Sequence, residues 1–333
     1  MKVMAPKMLV PGPVPAVGAL ALTLASLSLA VQAAPPDQRR DQVPGWFRMM
    51  VDRHEVTALY DGYIDLETGL LTGMDQEALR THLDALFIDT EPGVQTAVNA
   101  FLVHTGDHLV LVDAGSAACF GPTLGQVEAN LRASGYAPEE VDTLLMTHLH
   151  PDHVCGLVDG EGRPVYPNAE LRASRGDADF WLSESRAEAV PEEERAFFDM
   201  ARNAVAPYRE AGRFSTFEPG DELLPGIQAR DTHGHTPGHA SFLFEGEDDE
   251  ILVWGDVVHS YGVQFDDPSV AIEFDTDPEQ AIATRQAVLE GAAEDAHWVA
   301  GAHLPFPGIG HVIREGEGYR WLPVEFGPIR EDR

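Results

Sequence analysis

Residues 146–156 read MTHLHPDHVCG and place His148, His150, Asp152 and His153 within six positions at the end of an apolar run. His148 and His150 are separated by one residue, so in an extended segment both imidazoles leave the chain on the same side and can grip one ion. Pro151 ends strand pairing and turns the chain, which carries Asp152 and His153 towards a second position a few ångströms away. Neutral imidazoles and carboxylates suit zinc or another borderline divalent ion, and two coordination shells need further ligands. The chain offers them as His233, His235 and His239 in THGHTPGH, Asp256 and His259 in WGDVVH, and His303 in GAHLPF. Any one of these histidines alone would read as a polar core or surface residue. Their places after apolar strands, beside Gly or Pro turns, gather them at one rim of a sheet.

The elements that must do this are legible in outline. HLVLVDAG (108–115) reads as a strand entering a Gly turn, and TLGQVEANLRASG (123–135) as a helix that stops at Gly135. VDTLLMTH (141–148) reads as a second buried strand. GIQARDTHG, ASFLFEG and EILVWGD are three strand-like segments cut by Gly, Pro or acidic turns. TDPEQ starts a helix, with Asp277 as cap, Pro278 in the first turn and Gln280 at the box position. AHWVAGAH then returns as a strand. The stretch from Ala178 to Gly212 has helical composition and reads as a helix pair, with Phe180, Trp181, Phe197 and Phe198 serving mainly the core. Sheets packed together under helices give an α/β layered fold.

Composition narrows the setting. Lys2 and Lys7 precede an apolar stretch, Ala16 to Val31, that ends in small residues, which is the pattern of a secretory signal peptide over 1–33. It is shorter than the ~20 residues of a spanning helix, so no membrane anchor is expected after cleavage, and the protein is expected to be periplasmic or secreted. A polar N-terminal arm (34–60) and one catalytic domain (61–333) complete the expected organisation. Lys2 and Lys7 are the only lysines among 22 basic residues. Without them 20 arginines face 55 acidic residues, a formal charge of −35. Such a field repels nucleic acid and anionic membranes. The acids are dispersed, which favours adaptation to a salty medium over attraction of one cationic partner. Cys119 and Cys155 are too few for a disulfide framework; two independent buried thiols are expected, with a bridge as the alternative that an oxidising compartment permits.

THLHPDH, GHTPGH, GD and the late AH follow the order found in the metallo-β-lactamase superfamily, and the chain resembles that family over about residues 95 to 311. FGPTLG, DFWLS, VQFDDPSV, AHLPFPGIGH and GYRWLPV resemble the methyl parathion hydrolase group with its lactone- and aryl-ester-hydrolysing relatives. The resemblance implies an αββα sandwich, a homodimer and two divalent ions, zinc first, with manganese, cobalt or iron as alternatives. It implies that His148, His150 and His235 bind one ion, that Asp152, His153 and His303 bind the other, and that Asp256 bridges them. His233 and His239 are then supporting residues.

Two such ions make hydroxide available near neutral pH and polarise a carbonyl or phosphoryl oxygen, so hydrolysis is the expected reaction and no Ser or Cys nucleophile is needed. The resemblance gives Asp152 the task of orienting the hydroxide and carrying a proton. A bridging Asp256 argues against β-lactam hydrolysis, the acidic charge against a nuclease, the lack of a basic cluster against glutathione thioesters, and the lack of room for a flavin domain against electron transfer. A neutral apolar lactone, aryl ester or phosphotriester remains, held by Phe120, Trp181, Phe197 and Phe198. His259, Ile272 and Phe274 are expected to crowd the mouth, which suits a planar lactone better than a tetrahedral phosphotriester. A lactonase or arylesterase with organophosphate hydrolysis on the side is therefore expected, and a phosphotriesterase proper is the alternative.

Overall fold

The computed structural model describes residues 12, 37–40 and 42–329. The expected signal peptide lies outside these apart from Gly12. The chain runs through strands β1 (Trp46–Val51), β2 (His54–Leu66) and β3 (Leu71–Thr72), helix α1 (Gln76–Ala85), and strands β4 (Val94–His104) and β5 (Leu109–Val112). Helix α2 (Val127–Ala133), β6 (Thr143–Leu145), the short α3 (Pro151–Val154) and β7 (Glu170–Ser174) follow. Three helices, α4 (Arg175–Trp181), α5 (Glu184–Ala189) and α6 (Glu192–Glu210), stand where a helix pair was expected. The second half holds β8 (Phe214–Phe217), β9 (Glu222–Leu224), β10 (Ile227–Asp231), β11 (Ala240–Glu245) and β12 (Glu250–Val253). Then come α7 (Tyr261–Gln264), β13 (Ala271–Ile272), α8 (Pro278–Asp295), β14 (Trp298–Ala300), β15 (Ile309–Glu315) and β16 (Gly318–Pro323).

The strands form two seven-stranded sheets, ordered β1-β2-β4-β5-β6-β7-β8 and β16-β15-β14-β12-β11-β10-β9, with β13 and β3 as a small separate pair. Side-chain alternation explains the layering, because neighbours on a strand face opposite ways. Phe101, Val103, Val110 and Val112 meet Phe242, Phe244, Ile251 and Val253 between the sheets. The alternate residues Ala100, Leu102, Leu109 and Leu111 turn outward onto Leu131 of α2 and onto Ala201, Val205 and Tyr208 of α6. Leu243 and Leu252 likewise turn outward onto Leu289 and Ala292 of α8. Helix, sheet, sheet and helix give the expected αββα sandwich.

Three further expectations need correction. The N-terminal arm does not reach residue 60: the compact unit begins at Gln42, and β1 with β2 forms the edge of the first sheet, where Phe47, Val51, Val56 and Ala58 join the core between the sheets. The strand expected over 141–148 pairs only through Leu145, because the Asp113 carboxylate takes the Thr147 N–H and bends the chain away. Cys119 and Cys155 are not free thiols but form a disulfide, their Cα atoms 6.4 Å apart. Cys119 follows β5 and Cys155 follows β6, and these strands are parallel neighbours, so the loops leaving them meet.

Candidate metal centre

Every candidate ligand sits just beyond a strand end. His148 and His150 follow β6, Asp152 and His153 lie in the single turn of α3, His235 follows β10, Asp256 follows β12 and His303 follows β14. Pro151 occupies the first position of α3, where its missing N–H costs nothing. Gly255, just before Asp256, has φ +57°, and a Cβ there would stand 2.7 Å from His239 Nε2 and 2.8 Å from the Thr147 side chain. Only glycine lets Asp256 approach the histidines so closely.

The donor atoms gather in two groups, His148, His150, His235 and Asp256, and Asp152, His153, Asp256 and His303, each with its atoms within 4.8 Å of one another. Asp256 belongs to both. Its Oδ2 lies 3.1 Å from His303 Nε2, 3.4 Å from His235 Nε2 and 3.7 Å from His148 Nε2, and its Oδ1 lies 3.2 Å from His153 Nε2. Asp152 Oδ2 stands 3.4 Å from His153 Nε2 and 3.6 Å from His303 Nε2. His148 Nε2, His153 Nε2 and Asp256 Oδ1 are buried and have no hydrogen-bond partner. Buried polar atoms are rarely left so, and two ions at these foci would satisfy all three. His150 Nδ1 and His235 Nε2 face each other at 3.0 Å, a contact that a shared ion also resolves. The donor set, three nitrogens and one oxygen beside two nitrogens and two oxygens, fits a pair of zinc-like divalent ions.

Electrostatics follow the same logic. Burial keeps the imidazoles of His148 and His150 neutral, far below their ordinary pKa. Burial works against a charged His153 as well, but Asp256, Asp152 and Asp113 outweigh it and draw a proton to the site. Burial would raise Asp256, yet the surrounding imidazoles hold it well below the usual carboxylate range. The site is built around positive charge.

Partners behind the ligands fix which nitrogen faces inward. His153 Nδ1–H donates to Asp113 at 2.8 Å, His235 Nδ1–H to Asp275 at 2.9 Å and His303 Nδ1–H to the Ala97 carbonyl at 2.9 Å. The Thr147 hydroxyl donates to Asp113 and stands 3.1 Å from His148 Nδ1. The buried Asp177 carboxylate accepts N–H bonds from Leu149 at 2.8 Å and Gly238 at 2.7 Å, which ties the two histidine loops together; burial pushes its pKa up to about 6. The buried Arg285 guanidinium donates to the carbonyls of Val257, Pro268 and Val270 and lies 4.0 Å from Asp275. The Asn99 amide donates to the carbonyls of Ala302 and Leu304 around His303. Apart from Asp113, no local sequence pattern marks these supporting residues. The one local signal was Asp113, in a strand-end VDAG that leads straight to the histidine loop.

His239 Nε2 accepts the Asp256 N–H at 3.0 Å, and burial pushes its pKa down to about 3. His233 is half exposed and paired with Asp231. Phe120, Trp181, Phe197, Phe198, His259 and Phe274 line a cavity of about 950 Å³ that opens on His150, Asp152, His235, Asp256 and His303. Trp181 meets His150 edge to face at 4.9 Å, and Phe120 meets Phe197 likewise at 6.0 Å. His259 reaches deeper than a mouth residue, with Nε2 3.1 Å from Asp256 Oδ2 and its ring stacked on His303. Ile272 is not in the cavity wall. It pairs with Leu71 across β13 and β3, and its side chain is buried with Leu79 and Leu83 of α1.

Comparison with known proteins agrees with this geometry. The model of the metallo-beta-lactamase superfamily matches residues 93–303. An N-acyl homoserine lactonase of Bacillus cereus is 24% identical over 193 residues, 58% of this chain and 64% of that protein, so the chain spans somewhat less than two thirds of that relative. Among solved structures, the hydrolase AbOPH of the beta lactamase superfamily superposes with a TM-score of 0.83 at 42% identity, over 86% of this chain and all of that one. AidC, a dizinc quorum-quenching lactonase, superposes with a TM-score of 0.80 at 25% identity, again over 86% of this chain and all of that one. The family match places this chain in the metallo-beta-lactamase superfamily, in agreement with its fold and its clustered metal-binding side chains.

Proposed function

We propose that the protein hydrolyses neutral, apolar lactones or aryl esters. The observation that carries this is the cavity over the donor groups: among the described residues its wall is rich in phenylalanine and tryptophan and includes no Lys or Arg to hold an anionic substrate. The similarity to lactonases supports the same reaction class. When bound, a pair of divalent ions supplies a hydrolytic nucleophile from water and polarises the carbonyl oxygen. His148, His150 and His235 would hold one ion and Asp152, His153 and His303 the other, with Asp256 available to both groups. Asp152 also borders the cavity, where its carboxylate would orient the attacking water, take a proton from it and pass that proton to the leaving oxygen. Trp181 and Phe197 stack against the apolar part of the substrate and exclude water from its scissile bond.

Phosphotriester hydrolysis is the second reading, supported by the same aromatic cavity without Lys or Arg in its described lining. His259 against Asp256 and Phe274 at the rim narrow the space around the centre, which suits a planar ring better than a tetrahedral phosphorus with three substituents. Initial rates on an aryl lactone, an aryl ester and a methyl phosphotriester test the order, and lactone or aryl ester should dominate. His259→Ala and Phe274→Ala should each raise phosphotriester turnover relative to lactone turnover. An unchanged ratio counts against crowding, and dominance of the phosphotriester in the parent protein overturns the order itself.

We also propose that the protein is exported. The disulfide supports this, since such bonds persist in oxidising compartments. Recovery of the chain from the periplasm with a new N-terminus near residue 34 is the expected result, and a full-length cytosolic chain would contradict it.

A further inference from the structure

The segment from Asp113 to Gln126 contains no strand and no α-helix, yet it carries Phe120 to the wall of the aromatic cavity. Its two ends are anchored by one buried carboxylate. Asp61 accepts the N–H of Ser116 at 2.8 Å, of Gly125 at 3.1 Å and of Val127 at 3.2 Å. The middle is held differently. Among the described residues, the stretch 117–122 makes one hydrogen bond, from Cys119 N–H to the Ser116 carbonyl within the same turn. Its covalent tie to the rest of the fold is the disulfide to Cys155. Cys155 is buried two residues beyond His153, and the next residue, Gly156, donates its N–H to the Gly115 carbonyl at 2.9 Å. The bond therefore joins the metal-side segment to an irregular stretch of the cavity wall that one hydrogen bond holds.

We propose that the Cys119–Cys155 disulfide is a specificity element that fixes Phe120 edge-on to Phe197, so that the bond determines how tightly a flat apolar group is held. The inference rests on the reading of this cavity as the substrate pocket. An aromatic ring anchored beside the bond gains affinity because its position is paid for before the ligand arrives. Reduction by tris(2-carboxyethyl)phosphine and water, which yields two protein thiols and the phosphine oxide, frees the stretch without touching a ligand residue. The metal-side contacts of Ala114 with His153 and of Gly115 with Gly156 persist, since neither uses a sulfur atom.

The test is calorimetric binding of 2-acetylnaphthalene, a flat aryl ketone that is not hydrolysed, to the metal-loaded protein. Cys119→Ala and Phe120→Ala should each raise its Kd about five- to tenfold, the loss of one well-placed aromatic contact. The double variant should bind no more weakly than Phe120→Ala, within about twofold, because both changes remove the same contact. Parent protein treated with the phosphine should behave as Cys119→Ala does. Bound metal, measured on the same samples, should not change. An unaltered Kd in Cys119→Ala, losses that multiply in the double variant, or a weakened Kd that tracks loss of metal would each overturn the proposal. Failure of the parent protein to bind the ketone would overturn the pocket assignment and the proposal with it. Intact binding without turnover of any aryl ester or lactone would overturn only the hydrolytic reading.

Discussion

Asp275 shows how little of a metal centre resides in its ligands alone. Its carboxylate accepts His235 Nδ1–H and the N–H of Ile272, and Arg285 stands behind it. Replacing it by asparagine removes the charge that makes His235 a stronger donor while keeping the shape. Asp275→Asn should weaken metal binding about ten- to hundredfold, measured by competition with a chelating dye, whereas the distant Asp159→Asn should leave affinity unchanged. Equal affinities in both variants would remove Asp275 from the account. Ligands and supporting residues differ in legibility for a physical reason. His148, His150, Asp152 and His153 lie within one turn of chain, so their spacing alone proposes a cation site. Asp275 meets His235 across 40 residues, and Asp177 meets Gly238 across 61; no local pattern marks a lone acid in a helix or loop as the partner of a distant imidazole or N–H. Ile272 fails in the other direction, since it neighbours the rim residue Phe274 in sequence but its strand register turns it towards Leu71.

Helix α8 illustrates positioning by a whole element. Asp277 caps it by accepting the Gln280 N–H, as its sequence suggests, but the Gln280 amide donates forward to Thr284 and does not reach back to close the box. The same end of the helix grips the histidine loop: Thr276 N–H donates to the His235 carbonyl, Asp277 N–H to that of Gly234, and the Thr284 hydroxyl to that of His233. Asp277→Ala should cost about 1 kcal/mol of stability in chemical denaturation. It should also slow metal reloading, because the loop bearing His235 loses its clamp; a stability loss with unchanged reloading would confine Asp277 to capping. Capping signals mark the beginning of α8, and apolar patterning reveals six strands, β5, β6, β10, β11, β12 and β14. It overextended β6 because an apolar run does not show where a side-chain carboxylate captures the next N–H, and it merged α4, α5 and α6 because helical composition continues through their breaks.

At the scale of the whole chain, 55 acids against 22 bases leave a formal charge of −33, and much of the arginine is committed to acids beside it, as in Arg132–Glu128, Arg163–Asp159 and Arg314–Glu290. The remaining acids repel one another at low salt. If they reflect a saline habitat, the melting temperature should keep rising between 1 and 3 M potassium chloride, where the screening length is already only about 3 Å. A plateau below 1 M would reduce the effect to ordinary screening. The same surface leaves the catalytic question to the cavity and the seven donors beneath it. The measurement that tests this account most directly is titration of metal-free protein with zinc while aryl lactone hydrolysis is followed, with Asp256→Ala in parallel. The account predicts activity that rises to a plateau at two zinc ions per chain and a variant without activity at any loading. Full turnover in the metal-free protein, or an Asp256→Ala variant as active as the parent, would contradict it.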